Sequence, residues 1–361
     1  MASIRRIGIL TGGGDCPGLN AVIRAVTKSA IFEHGLEVAG ISEGFGGLIE
    51  NNWRLLGDED VSGILPRGGT ILGANNRDNP FMFRTVTAGG EVTYEDNSGT
   101  AIANLEGMGV EALIVAGGDG TLSIARKLHE RGVSVVGIPK TIDNDLHGTD
   151  VSFGFDSALH TATDAVDKLH TTAASHHRGM VLEVMGRNAG WLALCAGIAG
   201  GGDIILIPEI PYTFENVVRA IEERRRRGKR FSIIVVAEGA PLPGGEQVTR
   251  DTGGGERVLG GIGERVAEAI QEMADMETRV TILGHLQRGG SPSPLDRILA
   301  TGFGTTAVEL AAAGRSGVMV ALRDMRIEAV PLEEVVPGQR RVPTDGNLVN
   351  FARSVGTSFG D

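Results

Sequence analysis

EALIVAGGDGTLSIARKLHERG, residues Glu111–Gly132, is the stretch that decides the fold class. A short apolar run reads as a buried strand, a glycine loop follows, and a helix closes on Gly132. The same unit recurs on both sides of it. "RRIGILTGGG" is strand and loop, and "PGLNAVIRAVTKSAIFEHG" is a helix ended by glycine. "LEVAGISEGFGGL" is strand and loop again, and "VSVVGIPKTIDND" is a strand broken by Pro139. "RGMVLEVMGRNAGWLALCAGIAGG", "GDIILIPEIP", "FSIIVVAEGA" and "TRVTILGHLQRGGSPSPLDRILATGFG" carry the alternation through the second half. Strands alternating with helices imply mostly parallel sheets covered on both faces. Two such series imply an α/β chain of two doubly wound, Rossmann-like lobes with an active-site cleft between them. After about Gly314 the pattern weakens, and the last residues, "SVGTSFGD", read as frayed.

Composition narrows the function. A formal net charge of -11 argues against a general nucleic-acid binder, so any anion must be held by local basic groups and backbone N–H donors. No apolar run reaches membrane-spanning length. The sequence passes directly into a strand with no signal peptide, and its two cysteines, Cys16 and Cys195, suggest no disulfide framework; both point to a cytoplasmic protein. The one dense basic block, "EERRRRGK" from Glu222 to Lys229, reads as a solvated helix end. The 55 glycines have no period and cluster where apolar runs end, which is where α/β folds bind ligands.

Three strand ends carry the chemistry. In "GGGDCPGLN", Gly12, Gly13 and Gly14 precede a helix start near Gly18, where backbone N–H groups favour an anion. In "AGGDGTL", Gly118 and Gly120 let the backbone approach a phosphate, and Asp119 can share a Mg²⁺ with phosphate and water oxygens. The bland reading of this loop is a helix cap by Asp119 or Thr121. In "GIPKTIDNDL", Lys140, Thr141, Asp143 and Asp145 fall within six residues. An attacking hydroxyl needs a carboxylate to take its proton and cations to hold charge. A turn around Asn144 would give Asp143 and Asp145 different tasks, or the cluster is an Asx-turn network only. Arg178, Arg187, Arg279, His285 and Arg288 lie by strand-end glycine turns and suit a sugar phosphate. Glu209 in "IPEIP" can accept a sugar hydroxyl, and Met185 is packing or a pocket floor.

"GILTGGGDCPGLNAVIR", "GGDGT", "PKTIDND", "VMGRNAG", "IPE" and "TRVTILGHLQRGGSPSPLDR", in this order across residues 7 to 297, resemble the phosphofructokinase A family. "GGDGT" is shared with NAD kinases and diacylglycerol kinases; "TIDND" with "MGR" and "GHLQRGGSP" is specific. The resemblance implies phosphoryl transfer to the 1-hydroxyl of fructose 6-phosphate. It implies Asp143 as general base, with Arg187 and Lys140 as further catalytic groups. Asp119 would be the Mg²⁺ residue, and Gly14, Arg77, Gly118, Asp119, Gly120 and Thr121 would line the donor. Thr141, Ile142, Asp143, Met185, Gly186, Arg187 and Glu209 would hold the sugar phosphate, with His285, Leu286, Gln287 and Arg288. Arg178 and Arg279 would come from a neighbouring subunit of a homo-oligomer, a tetramer or a dimer. The implied lobes are residues 1–154 plus about 288–337 for ATP and Mg²⁺, and about 155–287 plus 338–361 for the sugar phosphate.

Two departures, one near the donor and one bearing on regulation, accompany a mixed pair that bears on donor choice. The family commonly shows Leu-Gly-Ser/Thr-Ala/Ser-Arg, whereas "ILGANNRDNPF" brings Arg77 one residue late, so Arg77 or Asn76 fills that position. Lys28 stands where allosteric bacterial members carry an arginine, which puts their control by effectors in doubt. In the family, glycine after the "GGD" aspartate and before "TIDND" goes with ATP, and aspartate and lysine there go with pyrophosphate. This chain combines Gly120 with Lys140. An aspartate at 120 would repel the α-phosphate of ATP, whereas a lysine beside phosphates repels nothing. ATP is the expected donor. A pyrophosphate-dependent enzyme and a non-catalytic sugar-phosphate-binding subunit are the alternatives.

Overall fold

The computed structural model describes residues 4–86, 90, 92–251, 257–336 and 338–361. In chain order it runs β1 (Arg6–Thr11), α1 (Leu19–His34), β2 (Glu37–Ile41), α2 (Gly44–Ile49), β3 (Trp53–Leu55), β4 (Phe83–Val86), β5 (Val92–Glu95), α3 (Ser98–Gly107), β6 (Ala112–Gly117), α4 (Asp119–Glu130), β7 (Val135–Thr141) and β8 (Phe153–Gly154). There follow α5 (Phe155–His176), β9 (Gly179–Val184), α6 (Trp191–Ala199), β10 (Ile204–Leu206), α7 (Phe214–Arg226), β11 (Ser232–Ala237), β12 (Thr249–Asp251), β13 (Arg257–Leu259), α8 (Ile262–Ala274) and β14 (Thr278–Ile282). The chain ends with α9 (Pro294–Ala312), β15 (Val318–Arg323), β16 (Arg326–Pro331), α10 (Leu332–Val335) and α11 (Asn347–Ser354). It divides into two compact units. The first comprises residues 1–141, 146–156 and 288–338, and the second residues 142–145, 157–287 and 339–361.

The first unit is built on a sheet ordered β16-β15-β7-β6-β1-β2-β3, parallel except at its antiparallel edges, β15–β16 and β2–β3. In register, Ile9 of β1 faces Ile114 of β6. Strand residues alternate between faces. Leu113 and Val115 join Leu105, Leu122, Leu128 and Leu332 in one core, which places α3, α4 and α10 on that face. Helices α1 and α9 pack together on the other. The second unit has a four-stranded, wholly parallel sheet ordered β10-β11-β9-β14. Val181, Ile234 and Val236 on one face meet Val217 and Ile221 of α7 and Val266 and Ile270 of α8. The doubly wound α/β reading therefore holds.

Three local expectations do not, and a fourth holds only in part. Pro139 lies inside β7, paired with Gly117, rather than ending it. On the other side of β7, β15 pairs only with Val136 and Gly137, and β8 pairs only with Lys140 and Thr141. Pro139 falls in the gap, where the ladder needs no N–H. The "GFGGLI" segment forms α2 instead of a loop. Its Phe45 and Leu48 are core residues, and a Cβ at Gly47 would sit 1.7 Å from the Ser42 carbonyl oxygen, so close packing overrides poor helix propensity. The tail is neither unpatterned nor frayed. β15 and β16 extend the first sheet, Ser358 bridges Ile204, and Phe359 is 0% exposed beneath Arg353, which pairs with Asp361. The basic end of α7 is also partly consumed. Arg224 pairs with Asp203 at 2.7 Å, and Arg225 donates to the Ala274 carbonyl at 3.1 Å.

Candidate active site

In the first unit two glycine loops close on one side chain. Gly12 donates to the Ala116 carbonyl at 2.9 Å, which ties the β1 loop to the end of β6. Thr121, in the first turn of α4, fills the space between the loops. A Cβ on Gly12 would lie 2.5 Å from its Cγ2, and one on Gly117 would lie 2.2 Å away. These glycines are thus fixed by backbone approach to Thr121. Gly120 is different: a Cβ there meets nothing within 4 Å and its φ is ordinary, so neither packing nor conformation demands glycine. Asp119 opens α4, exposed, between Gly118 and Gly120.

Lys140 is 4% exposed, and its Nζ donates to the Gly14 carbonyl. Arg288 donates to the Asp15 carbonyl at 3.1 Å, and a Cβ on Gly14 would lie 2.7 Å from its Nη1. Two cations therefore flank the Gly14–Asp15 segment, and Arg288 belongs to the first unit whereas Gln287, its neighbour in sequence, belongs to the second. Burial pushes the Cys16 thiol up to about 12 despite the opposing pull of Lys140, so Cys16 is a packed thiol and no nucleophile. Arg77 and Asn76 are exposed. The segment before them is pinned, since Asn75 bridges Gly12 and its carbonyl accepts from Gly13 at 3.1 Å.

The second unit begins one residue after Thr141. Ile142 is buried, Asn144 turns the chain with φ 53, and Asn144 and Asp145 are buried. Asp143 and Asp145 therefore flank a single left-handed residue in the chain. Residues from the far end of the chain hold it. Arg340 N donates to the Asp145 carbonyl at 2.8 Å, and Trp191 Nε1 donates to the Arg340 carbonyl at 2.8 Å.

Met185, Gly186 and Arg187 follow the carboxyl end of β9. Gly186 has φ 133, and a Cβ on it would lie 2.9 Å from the Ala189 carbonyl oxygen, so only glycine fits; Arg187 is exposed beside it. The Glu209 carboxylate accepts from Gly190 N at 3.0 and 3.1 Å and from Val342 N at 2.9 Å. After β14 a 3₁₀ segment, Gly284–Arg288, presents His285 and Leu286 outward and buries Gln287, whose amide donates to the Gly284 carbonyl at 3.2 Å.

Arg178 and Arg279 lie elsewhere in this unit. Arg178 immediately precedes β9 and Arg279 is the second residue of β14, so both are at the amino ends of the strands whose carboxyl ends lead to Met185–Arg187 and His285–Gln287. A six-residue strand spans about 20 Å. The expected placement of these arginines with the other strand-end turns is thus corrected. They converge on Glu277, Arg178 Nε at 2.7 Å, and the Arg178 hydrogen bond leads in holding the Glu277 carboxyl below its ordinary range.

Sequence reasoning missed Glu183, Asn75 and the 340–342 segment. Glu183 is 2% exposed and accepts from Gly261 N at 3.1 Å and from Gly263 N at 2.8 Å. A carboxylate inside the apolar run "MVLEV" was the available signal.

Glycine loops at strand ends, a buried lysine against one of them and a carboxylate turn three residues later are the equipment of a protein that handles phosphorylated ligands. Comparison with known proteins narrows the class. The family model described as phosphofructokinase matches residues 6–311, and the chain belongs to the phosphofructokinase family. It is 51% identical, over the whole of both chains, to a Clostridium perfringens protein named ATP-dependent 6-phosphofructokinase 2. It is also 50% identical, over 94% of its own length and 97% of the relative's, to an Amycolatopsis methanolica protein named pyrophosphate--fructose 6-phosphate 1-phosphotransferase. Among solved structures it is similar to Pichia pastoris phosphofructokinase in the T-state, with TM-score 0.80 and 34% identity, covering 93% of this chain and 36% of the Pichia chain.

Proposed function

We propose that the chain is a 6-phosphofructokinase that transfers the γ-phosphoryl group of ATP to the 1-hydroxyl of fructose 6-phosphate, giving fructose 1,6-bisphosphate and ADP. The observation that carries this reading is covalent: Lys140, buried against the Gly14 carbonyl, and Asp143 lie three residues apart at the end of β7. The cation for the donor and the carboxylate for the acceptor therefore arrive on one short segment.

The first unit takes the donor at Gly14, Arg77, Gly118, Asp119, Gly120 and Thr121, and the second takes the sugar phosphate. Asp143 accepts the proton of the 1-hydroxyl as its oxygen bonds to the γ-phosphorus, while the bond from that phosphorus to the β–γ bridging oxygen breaks and ADP departs. Lys140 and the loop amides hold the charge that collects on the phosphoryl oxygens. Arg187 and Glu209 orient the sugar. No cluster of three potential metal ligands occurs among the described residues. Asp119, one exposed carboxylate at a helix start, fits Mg²⁺ arriving with its nucleotide, because this ion keeps waters and phosphates in its shell. Bound there, Mg²⁺ would supply positive charge to the β- and γ-oxygens.

Arg178 and Arg279, at the far strand ends, serve a neighbouring copy's sugar site in a homo-oligomer. No helix among the described residues is long and apolar enough to cross a membrane, and a cytoplasmic location goes with this glycolytic role.

A second reading, pyrophosphate as donor, rests on Lys140 and on the Amycolatopsis relative's name. Assay with fructose 6-phosphate, Mg²⁺ and either ATP or pyrophosphate separates them. Activity with ATP alone is the expected outcome, and activity with pyrophosphate alone overturns the donor assignment.

A further inference from the structure

The segment from Arg340 to Val342 lies across the second unit and touches three things at once. The Arg340 guanidinium sits 4.4 Å over the Trp191 ring. Its Nη1 is 3.4 Å from the Asn144 carbonyl oxygen, and its backbone N–H donates to the Asp145 carbonyl at 2.8 Å. Two residues on, Val342 N donates to Glu209 at 2.9 Å. The two carbonyls that follow Asp143 are thus both met by one residue. That matters because Asn144 holds φ 53, a left-handed conformation that asparagine tolerates but that needs bracing to stay fixed, and Arg340 meets its carbonyl and the one after it. Trp191 opens α6, whose N-cap Gly190 is bound by Glu209. This cation–π contact therefore refers the turn to a helix start.

We infer that Arg340 is a positioning residue that fixes the carboxylate of Asp143 by clamping the turn behind it; this rests on the reading of Asp143 as general base. The guanidinium is the working part. It lies over the Trp191 ring while its Nη1 reaches the Asn144 carbonyl, two contacts at once that a lysine ammonium, a single compact charge, reproduces poorly.

The test compares Arg340→Met, which keeps an apolar stem over Trp191, with Asp143→Ser and the double variant, all checked for folding by thermal denaturation. Misplacing a reacting group by about 1 Å can cost roughly 100-fold. Arg340→Met is expected to lower kcat roughly 10- to 100-fold while both KM values stay within about threefold. In the Asp143→Ser background the same substitution is expected to cost nothing further, because a clamp has no effect without the group it positions. An unchanged kcat overturns the inference, and so does a loss that multiplies in the double variant. If Arg340→Met does not fold, Arg340→Lys takes its place. A loss confined to kcat supports the clamp, and wild-type kcat overturns it. Asp143→Ser at wild-type rate would instead remove the base reading itself.

Discussion

Two glycine-started helices in each unit are treated in opposite ways. In the first, α1 and α4 begin at Gly18 and Gly118, which give no side-chain cap, and the first turn of α1 holds no acidic residue. In the second, α6 and α8 also begin at glycines, Gly190 and Gly261, but a carboxylate from a distant strand or loop reaches each: Glu209 the former and Glu183 the latter. A helix start attracts negative charge in either case. The difference teaches which starts suit a visiting anion and which have been satisfied by the chain itself. In the proposed mechanism the first unit offers these backbone groups to a ligand, whereas the second spends Glu183, and Glu209 in part, on its own architecture and keeps Asp143 for chemistry.

The sharpest way to break this contrast is Asp143→Ser. A general base contributes about 10²- to 10⁴-fold, so kcat should fall by that order with little change in either KM. Steady-state rates at saturating substrates decide. A variant that lost stability but kept its rate would place Asp143 with Glu183 as an architectural carboxylate. Gly120→Asp tests the other side. Its Cβ enters open space, so the fold should lose no more than about 0.5 kcal/mol, yet charge repulsion from a carboxylate beside the donor loop should lower kcat/KM for ATP by roughly tenfold or more. Wild-type ATP kinetics would show that this helix start does not receive the triphosphate.

Glu183→Gln probes an occupied start. The buried amide would turn N–H groups toward the Gly261 and Gly263 donors, costing about 1–3 kcal/mol in urea unfolding at unchanged m, with kcat intact. A fall in kcat without a stability loss would contradict its assignment to architecture. The smallest effect is expected at Glu277, which is exposed. Its folded pKa lies below the ordinary 4.5, chiefly through Arg178. The stabilisation is therefore present above 4.5 and is lost as pH falls through the lower folded value. The Tm difference between wild type and Glu277→Gln should be slight at neutral pH and vanish on acidification; a difference that grew in acid would reverse the sign of this linkage.

How much of this was legible beforehand differs from element to element. The alternation around Glu111–Gly132 gave the α/β class, because a buried strand and the helix that follows it announce themselves within a few neighbours. The family reading rested on contiguous motifs and holds for the same reason. Pro139 misled because its tolerance depends on where β15 and β8 stop pairing with β7. The tail misled because Phe359 anchors it against residues far away in sequence. Arg178 and Arg279 looked like companions of Arg187 and His285, since a glycine turn near an arginine reads the same at either end of a strand.

The sequence by itself determined the class, the order of glycine loops and the identity of the groups available to handle phosphate. Those depend on local period, on glycine at strand ends and on residue chemistry, all of which are properties of short segments. Only the tertiary structure decided that Thr121 dictates Gly12 and Gly117 while Gly120 answers to no neighbour. It alone decided that Glu183 and Glu209 close helix starts, and that Arg340 lies behind the Asp143 turn. Most of those facts are contacts between residues far apart in sequence, Glu183 to Gly261 spanning 78 and Val342 to Glu209 spanning 133. No local pattern records which distant backbone group a carboxylate will meet, because that partnership exists only once packing has brought the two together.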